Sequence, residues 1–419
     1  MLDFAERIGD WLILFVTIPI IATLLAFNAR RLLFSLAILL PSRPKIGRQR
    51  ISSNVVYFPE VLILAPCQDE EKMITGLCHS IRQLEYPVGR YKVCLIDDGS
   101  TDQTRILMEQ FVQAAPDWQV LSLPRNMGKA GALNTALKYC SFGEIVYIFD
   151  ADHRPKSDAL KRAVLYFEDP LVAGVSGMTI PSNPLASPSA YYSTIENHVH
   201  RLITMRAKDR LDLAPALLGS NCAYRRTALL ECGGFKEGSL LEDSDITLAF
   251  YRAGYRIRFA QDVEALHQVP ETIRGYINQH SRWARGFMNV ANQQGIGSLR
   301  DRELSLPLRV ELFLFSAGYL DRIALIGAIA IGLLSLLMGK NFQLLWVVIA
   351  LALLTPWIQV ILLFAEQRMP LPMWLRLPFI PFFYVFDLVS AGLGVVDSLT
   401  RKVGTWKKTE RSLQEDYGS

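Results

Sequence analysis

A chain of 419 residues is too long for one simple domain and suits two or three units. Hydrophobic residues make up 51% and charged residues 20%, below the ~25% usual in globular proteins, and mean hydropathy is +0.21, so membrane segments are added to a soluble domain. The net charge is only +4 and no dense basic run with interleaved aromatics occurs, which argues against nucleic acid as a partner.

Residues 11–27 carry no charge and are near the minimum length for a spanning helix. Asp3, Glu6 and Asp10 precede them against only Arg7; Arg30, Arg31, Arg43, Lys45, Arg48 and Arg50 follow. Positive flanks stay in the cytoplasm, so everything after residue 30 is expected there. A cleaved signal peptide fits poorly, because a basic n-region and a small-residue cleavage site are both missing. The apolar residues 32–40 are too short to span and suit the interface.

From 55 to 300 the texture changes. Short apolar runs at 61–65, 93–96, 120–123 and 145–149 alternate with helical patterns at 71–84, 102–114 and 129–140. That alternation predicts an α/β domain with a mostly parallel sheet and helices on both faces. Neither a GxGxxG fingerprint after the first strand nor a Walker motif is present, so a dinucleotide dehydrogenase and a P-loop NTPase are unsupported. The six cysteines, at 67, 78, 94, 140, 222 and 232, lack CxxC spacing. They read as buried small hydrophobes in a reducing compartment rather than as a zinc site or disulfide framework.

After 305 the chain turns apolar again. Residues 324–338 and 344–364 are spanning candidates; 372–399 is a third, interrupted by prolines and holding Asp387 and Asp397. Residues 306–322 contain Arg309, Glu311, Asp321 and Arg322 and suit an interfacial helix. The basic tail is expected in the cytoplasm, which needs an even number of crossings after the soluble domain, yet three segments are clear. The expected divisions are 1–50 for the N-terminal membrane helix and linker, 51–300 for the soluble domain, 301–400 for the interfacial helix and about three spans, and 401–419 for the tail.

The chemistry gathers at strand ends. Residues 144–152 form a nearly unbroken apolar run that ends in Asp150 and Asp152. In an open α/β sheet, ligands bind beyond the carboxyl ends of the strands. Two adjacent carboxylates there call for a hard divalent cation, Mg²⁺ or Mn²⁺, which brings substrate phosphates with it. Three loops emerge at the same edge: Cys67-Gln68-Asp69-Glu70-Glu71, Asp97-Asp98-Gly99-Ser100-Thr101-Asp102, and Asn126-Met127-Gly128-Lys129. Loop carboxylates can accept hydrogen bonds from a base or ribose, and a Gly-Lys pair opening a helix offers N–H groups and a cation to phosphate. Further on, Glu242-Asp243-Ser244-Asp245 sits ahead of an apolar helix. Gln279, Arg282 and Trp283 share a helix face at i, i+3 and i, i+4. Taken singly each has a plain explanation: a turn and helix cap, a surface lysine, or acids complementing a helix dipole.

Together, in this order and spacing, the motifs resemble those of membrane-integrated family-2 glycosyltransferases: the cellulose, chitin, hyaluronan and poly-N-acetylglucosamine synthases and the glucosylceramide synthases. The likeness covers about 55–290. It implies a GT-A fold, a nucleotide-sugar donor of the UDP-sugar class, inversion at the anomeric carbon, and an integral protein of the plasma (inner) membrane. By position, it makes Glu70 and Asp98 nucleoside contacts, Lys129 a diphosphate neighbour, Asp150 a nucleotide or metal contact and Asp152 a metal ligand. It makes Asp243 the general base, and Glu242, Gln279, Arg282 and Trp283 the side that holds the leaving diphosphate and the acceptor. Residues 219–226 resemble an acceptor-side loop, and 404–411 a post-membrane segment. Two departures occur: Cys67-Gln68-Asp69-Glu70 stands where Tyr-Asn-Glu is common, and Leu241 where Thr is frequent. The implied acceptor is a growing polysaccharide; the alternative is a diacylglycerol- or ceramide-type lipid receiving one sugar.

Overall fold

The structure is a computed structural model and describes residues 2–40, 58–340 and 342–400. The linker carrying Arg43, Lys45, Arg48 and Arg50, and the basic tail 401–419, lie outside the described residues.

Strand β1 (Val61–Cys67) is buried along almost its whole length because it has a parallel neighbour on each side, β2 (Tyr91–Asp97) and β4 (Ile145–Ile148). Ile63 lies opposite Val93 on one side and Tyr147 on the other. β3 (Trp118–Ser122) extends the parallel half beyond β2. The sheet continues through a half that the sequence pattern does not announce: β5 (Arg154–Pro155), β6 (Val172–Pro181), β7 (Cys222–Arg225) and β8 (Arg256–His267). The order is β3-β2-β1-β4-β7-β6-β8-β5, with β7 antiparallel to both β4 and β6. β4 is therefore the seam where the parallel half meets the mixed half, and Asp150 and Asp152 leave the sheet there.

The period-two alternation of strands divides the core. Leu62, Leu64, Cys94, Ile96, Val146 and Ile148 pack on one face with Ala132, Leu133 and Ala136 of helix Gly128–Tyr139. Ile63, Val93, Leu95, Tyr147 and Phe149 pack on the other with Ile74, Leu77 and Ile81 of helix Ile74–Arg82. The cysteines are free, and all but Cys232 are buried.

Among the described residues, four helices are long and apolar enough to cross a membrane: Phe15–Ala37, Leu320–Leu337, Gln343–Glu366 and Leu371–Leu399. The first belongs to one helix, Leu2–Ala37, that runs through both N-terminal apolar stretches. Leu24 meets Ala324, Leu325, Ala328, Leu345 and Val348 in a bundle core of its own. The polar residues between its two stretches are absorbed by pairing. Arg30 grips Glu311 with Nε and Nη2, both at 2.7 Å, and Arg31 pairs with Asp321. Lys208, 1% exposed, joins from the soluble domain with Nζ 2.8 Å from Glu311 Oε1. Burial would raise the Glu311 carboxyl, but Arg30 and Lys208 hold it below the usual range. Burial brings the Lys208 ammonium down to about 8. Removing one member of a buried ion set leaves the rest uncompensated, a loss of about 3–5 kcal/mol. Lys208→Met should therefore lower the thermal unfolding midpoint in lipid by several degrees. Arg30→Met should do the same, and the double variant should fall short of the sum, because both side chains serve one carboxylate.

The last of these four candidates is assembled from helix Leu371–Leu375, a tight turn at Leu377–Phe379 and helix Ile380–Leu399. This final helix lies along helix Ile273–Val290 of the soluble domain. A Cβ on Gly394 would stand 2.5 Å from the Ala284 Cβ and 2.9 Å from the Ser281 carbonyl oxygen, so only glycine permits the approach. Ser398 Oγ reaches Asn289 Oδ1 at 3.4 Å.

Candidate active site

The loops after β1 and β2 are laced together. Asp69, in the left-handed region at φ 52°, accepts from Thr101 N at 2.6 Å, and its own N–H donates to Ser100 Oγ at 3.0 Å. The Glu70 N–H donates to Thr104 Oγ1 at 2.7 Å, and the Glu70 residue is buried. Asp98 is 5% exposed, and its Oδ1 accepts from Met127 N at 2.7 Å. Burial raises its carboxyl, and the Met127 and Gly128 N–H groups work against that. Gly99 (φ +69°) makes this dock possible, since a Cβ there would meet the Arg125 carbonyl carbon at 2.7 Å. Asp98 thus holds the loop that launches the Lys129 helix.

Lys129 is the centre of the site. Its Nζ donates to Asp150 Oδ1 at 2.6 Å and to the Gly219 carbonyl at 2.9 Å, and stands 3.7 Å from Glu242 Oε1. Burial would lower this ammonium, but Asp150 and Glu242 prevail and raise it, so it stays charged. Gly219 (φ +77°) brings the backbone between the two sides: a Cβ on it would lie 3.1 Å from Asp243 Oδ2 and 3.3 Å from Lys129 Nζ. Ser220 Oγ accepts from Asp150 N at 2.8 Å. Asn221, wholly buried, accepts from Tyr147 OH at 2.7 Å and donates to the Met178 and Val263 carbonyls at 2.9 and 3.1 Å. It knots β4, β6 and β8 under the site.

Asp243 opens helix Glu242–Arg252 beside Glu242. Its Oδ1 accepts from Ser244 N at 2.7 Å. Burial, reinforced by Glu242, pushes its carboxyl up to about 7, with Lys129 and Arg282 pulling the other way. A carboxyl poised near neutrality can act as a general base. Gln279, Arg282 and Trp283 stand half-buried on helix Ile273–Val290. The link from that helix to the acids is Gly286, where a Cβ would come within 2.5 Å of Leu241 Cγ. Leu241 is the residue just before Glu242, so the helix seats directly under the acidic turn.

Asp150, Asp152 and His153 each offer a ligand atom, all within 4.8 Å of one another. His153 Nδ1 is 3.1 Å from Asp152 Oδ1, and its ring stacks on His267 at 5.5 Å. The two carboxylates suit a divalent cation of the Mg²⁺ or Mn²⁺ class, and the His153 imidazole favours Mn²⁺ of the two.

The structure thus brings together Lys129, Asp150, Glu242 and Asp243, with Arg282 close enough to act on Asp243. Asp98 is tied to the same cluster through its hold on Met127. Sequence reasoning passed over His153, and it noted 219–226 without seeing that Gly219 separates the lysine from the acid. The signal for His153 was adjacency to Asp152. For Gly219 there was none, since a positive φ is a property of the folded loop.

Residues 59–286 match the family described as Glycosyltransferase like family 2. The beta-monoglucosyldiacylglycerol synthase of Nostoc sp. strain PCC 7120 is 29% identical over 247 residues, covering 58% of this chain and 52% of that one. The UDP-forming cellulose synthase catalytic subunit of Xanthomonas axonopodis pv. citri strain 306 is 30% identical over 245 residues, 56% of this chain and 32% of that one. The match therefore spans about half or less of these relatives' length. Mannosyltransferase PcManGT from Pyrobaculum calidifontis, solved with GDP-Man and Mn²⁺, shares the fold at a TM-score of 0.62 and 23% identity over 92% of this chain and 99% of that one. A GT-A-like sheet joined to apolar helices, and a family match over more than half of the sequence, make the chain a member of glycosyltransferase family 2.

Proposed function

We propose that the protein is an inverting glycosyltransferase that moves a sugar from a nucleoside-diphosphate sugar, of the UDP-sugar class, to a growing polysaccharide at the cytoplasmic face of the plasma membrane. The observation that carries this is the pairing of two tasks around Gly219, with a near-neutral carboxyl on one side and the Lys129–Asp150 pair on the other. Asp243 takes the proton of the acceptor hydroxyl as its oxygen attacks the anomeric carbon. The bond to the diphosphate breaks on the opposite face, and Lys129 and Arg282 oppose the charge that develops there. Asp150 and Asp152 would hold Mg²⁺ or Mn²⁺, which when bound neutralises diphosphate charge. Glu70 and Asp98 serve the nucleoside side; Gln279 and Trp283, with Glu242, serve the acceptor side.

The basic flank of the first membrane helix supports a cytoplasmic catalytic domain. Helix Ile380–Leu399 is laid along the soluble domain, so counting it as interfacial leaves three crossings. The basic tail then returns to the catalytic side, which removes the parity conflict.

A second reading, transfer of one sugar to a lipid hydroxyl, is favoured by a row of exposed apolar residues on that same helix: Phe382, Val385, Val389, Leu393 and Val396. This row is offered to lipid directly behind the Gln279–Trp283 helix. Purified protein in lipid should be given a panel of radiolabelled nucleotide sugars with Mg²⁺ or Mn²⁺, and products split into polymeric and organic-soluble fractions. Label in high-molecular-weight material is the expected result; label confined to the organic phase establishes the lipid acceptor instead.

A further inference from the structure

A second cluster of ligand-type side chains lies outside the donor site. Glu196 of helix Pro188–His198, His280 of helix Ile273–Val290 and Asp387 of helix Ile380–Leu399 each bring one ligand atom within 4.8 Å of the others. His280 Nε2 is 3.5 Å from Glu196 Oε2, and its Nδ1 is 3.8 Å from Asp387 Oδ1. Glu196 Oε2, on the Nε2 side of the ring, and His280 Nδ1 and Asp387 Oδ1, on the other side, are buried and make no hydrogen bond. Asp387 is 1% exposed and His280 6%. Buried polar atoms that converge without partners carry a desolvation penalty that a bound group would relieve.

The local charge points to what that group is. Arg322 Nε donates to Asp387 Oδ2 at 2.6 Å, and Nη1 reaches Asp321 Oδ1 at 3.2 Å. Arg31 takes the other Asp321 oxygen. Three carboxylates, Glu196, Asp387 and Asp321, thus share this space with Arg31 and Arg322, and Arg282 bears on His280. A proton would quiet one oxygen; a dication can draw one ligand atom from each of the three side chains. The surroundings hold the donors in place. Tyr276 stacks on the His280 ring with centroids 3.9 Å apart, and Arg322 fixes the outer oxygen of Asp387, as partners of ligating carboxylates do. One imidazole with two carboxylates selects a transition-metal dication over Mg²⁺ or Ca²⁺, which prefer oxygen alone.

We propose that Glu196, His280 and Asp387 bind Zn²⁺ or Mn²⁺, and that this ion ties helix Ile380–Leu399 to the helix carrying Gln279, Arg282 and Trp283. The site is separate from Asp150–Asp152 and does not depend on the transfer reaction assigned above. Tag-free full-length protein in lipid nanodiscs, stripped with EDTA and dialysed against micromolar Zn²⁺, would be assayed for zinc per chain by mass spectrometry. Asp152→Asn removes a ligand of the other site. In that background one equivalent should remain, and adding His280→Gln should abolish it. Adding Glu196→Gln instead should weaken it at least tenfold, while circular dichroism reports a folded chain. Stripping the Asp152→Asn protein should also lower its unfolding midpoint, with recovery on zinc return. The proposal is overturned if Asp152→Asn protein retains no zinc, or if either double variant binds zinc as well as the Asp152→Asn parent does.

Discussion

Asp243→Asn should lower kcat by roughly 10²–10⁴-fold while the donor's dissociation constant, measured by calorimetry, stays within about twofold. The amide keeps the size of the carboxyl and its acceptor oxygen for Ser244 N, now at 2.7 Å from Oδ1, so the start of helix Glu242–Arg252 has no reason to move. Lys129 keeps Asp150 and Gly219, so the donor side is untouched. What disappears is the group that removes the acceptor's proton. Lost donor binding would show instead that Asp243 holds the nucleotide sugar. The wild-type pH profile carries the same assignment. The active form of a base is deprotonated, so kcat/KM should rise about tenfold per pH unit below 7 and level off above, in line with a carboxyl raised to about 7. Stability runs the other way. The folded pKa lies above the unfolded one, so the native state binds the extra proton in the window between them, and this group's contribution is lost as pH rises through 7. At pH 8 the Asn variant should therefore be the more stable protein, and a lower unfolding midpoint would contradict the burial argument.

Lys129→Met should reduce kcat/KM by roughly 10²–10³-fold and move the acidic limb of the pH profile to higher pH. The fall follows from losing the cation between Asp150, Gly219 and Glu242, the position from which a leaving diphosphate is opposed. The upward move of the limb follows from Asp243, which Lys129 pulls down. Lys129→Arg keeps the charge but replaces a compact ammonium with a planar fork, so activity should recover in part and the limb should return. A limb that stays put in Lys129→Met would mean that the titrating base is not the carboxyl across Gly219.

The parallel half of the sheet could be read from the chain because its strands are continuous apolar runs, and Asp98, Lys129, Asp150, Asp152 and Asp243 could be read because each sits beside a strand or helix end. β6 could not: its sequence VAGVSGMTIP holds two glycines and a proline, and it becomes a strand only because β7 and β8 pair with it. The seating of Gly286 on Leu241 joins residues far apart in sequence through the absence of a side chain, which leaves no periodic trace. Arg30 and Arg31 could be read as a basic flank, but not their pairing with Glu311 and Asp321, which are remote in sequence.

Those two pairs also set an order of events in biosynthesis. Glu311 follows Arg30 by 281 residues and Asp321 follows Arg31 by 290, so these partners of the first helix are made long after it. At ~5–20 residues per second the ribosome needs roughly 15–60 s to supply them. On the proposed topology the α/β domain is made in that interval, and the two guanidiniums would meanwhile find water and phosphate among lipid headgroups, as long cationic side chains near a helix end do. Arrival of Glu311 and Asp321 would then give both arginines their protein partners. Those pairs can therefore close only once about three quarters of the chain has been translated.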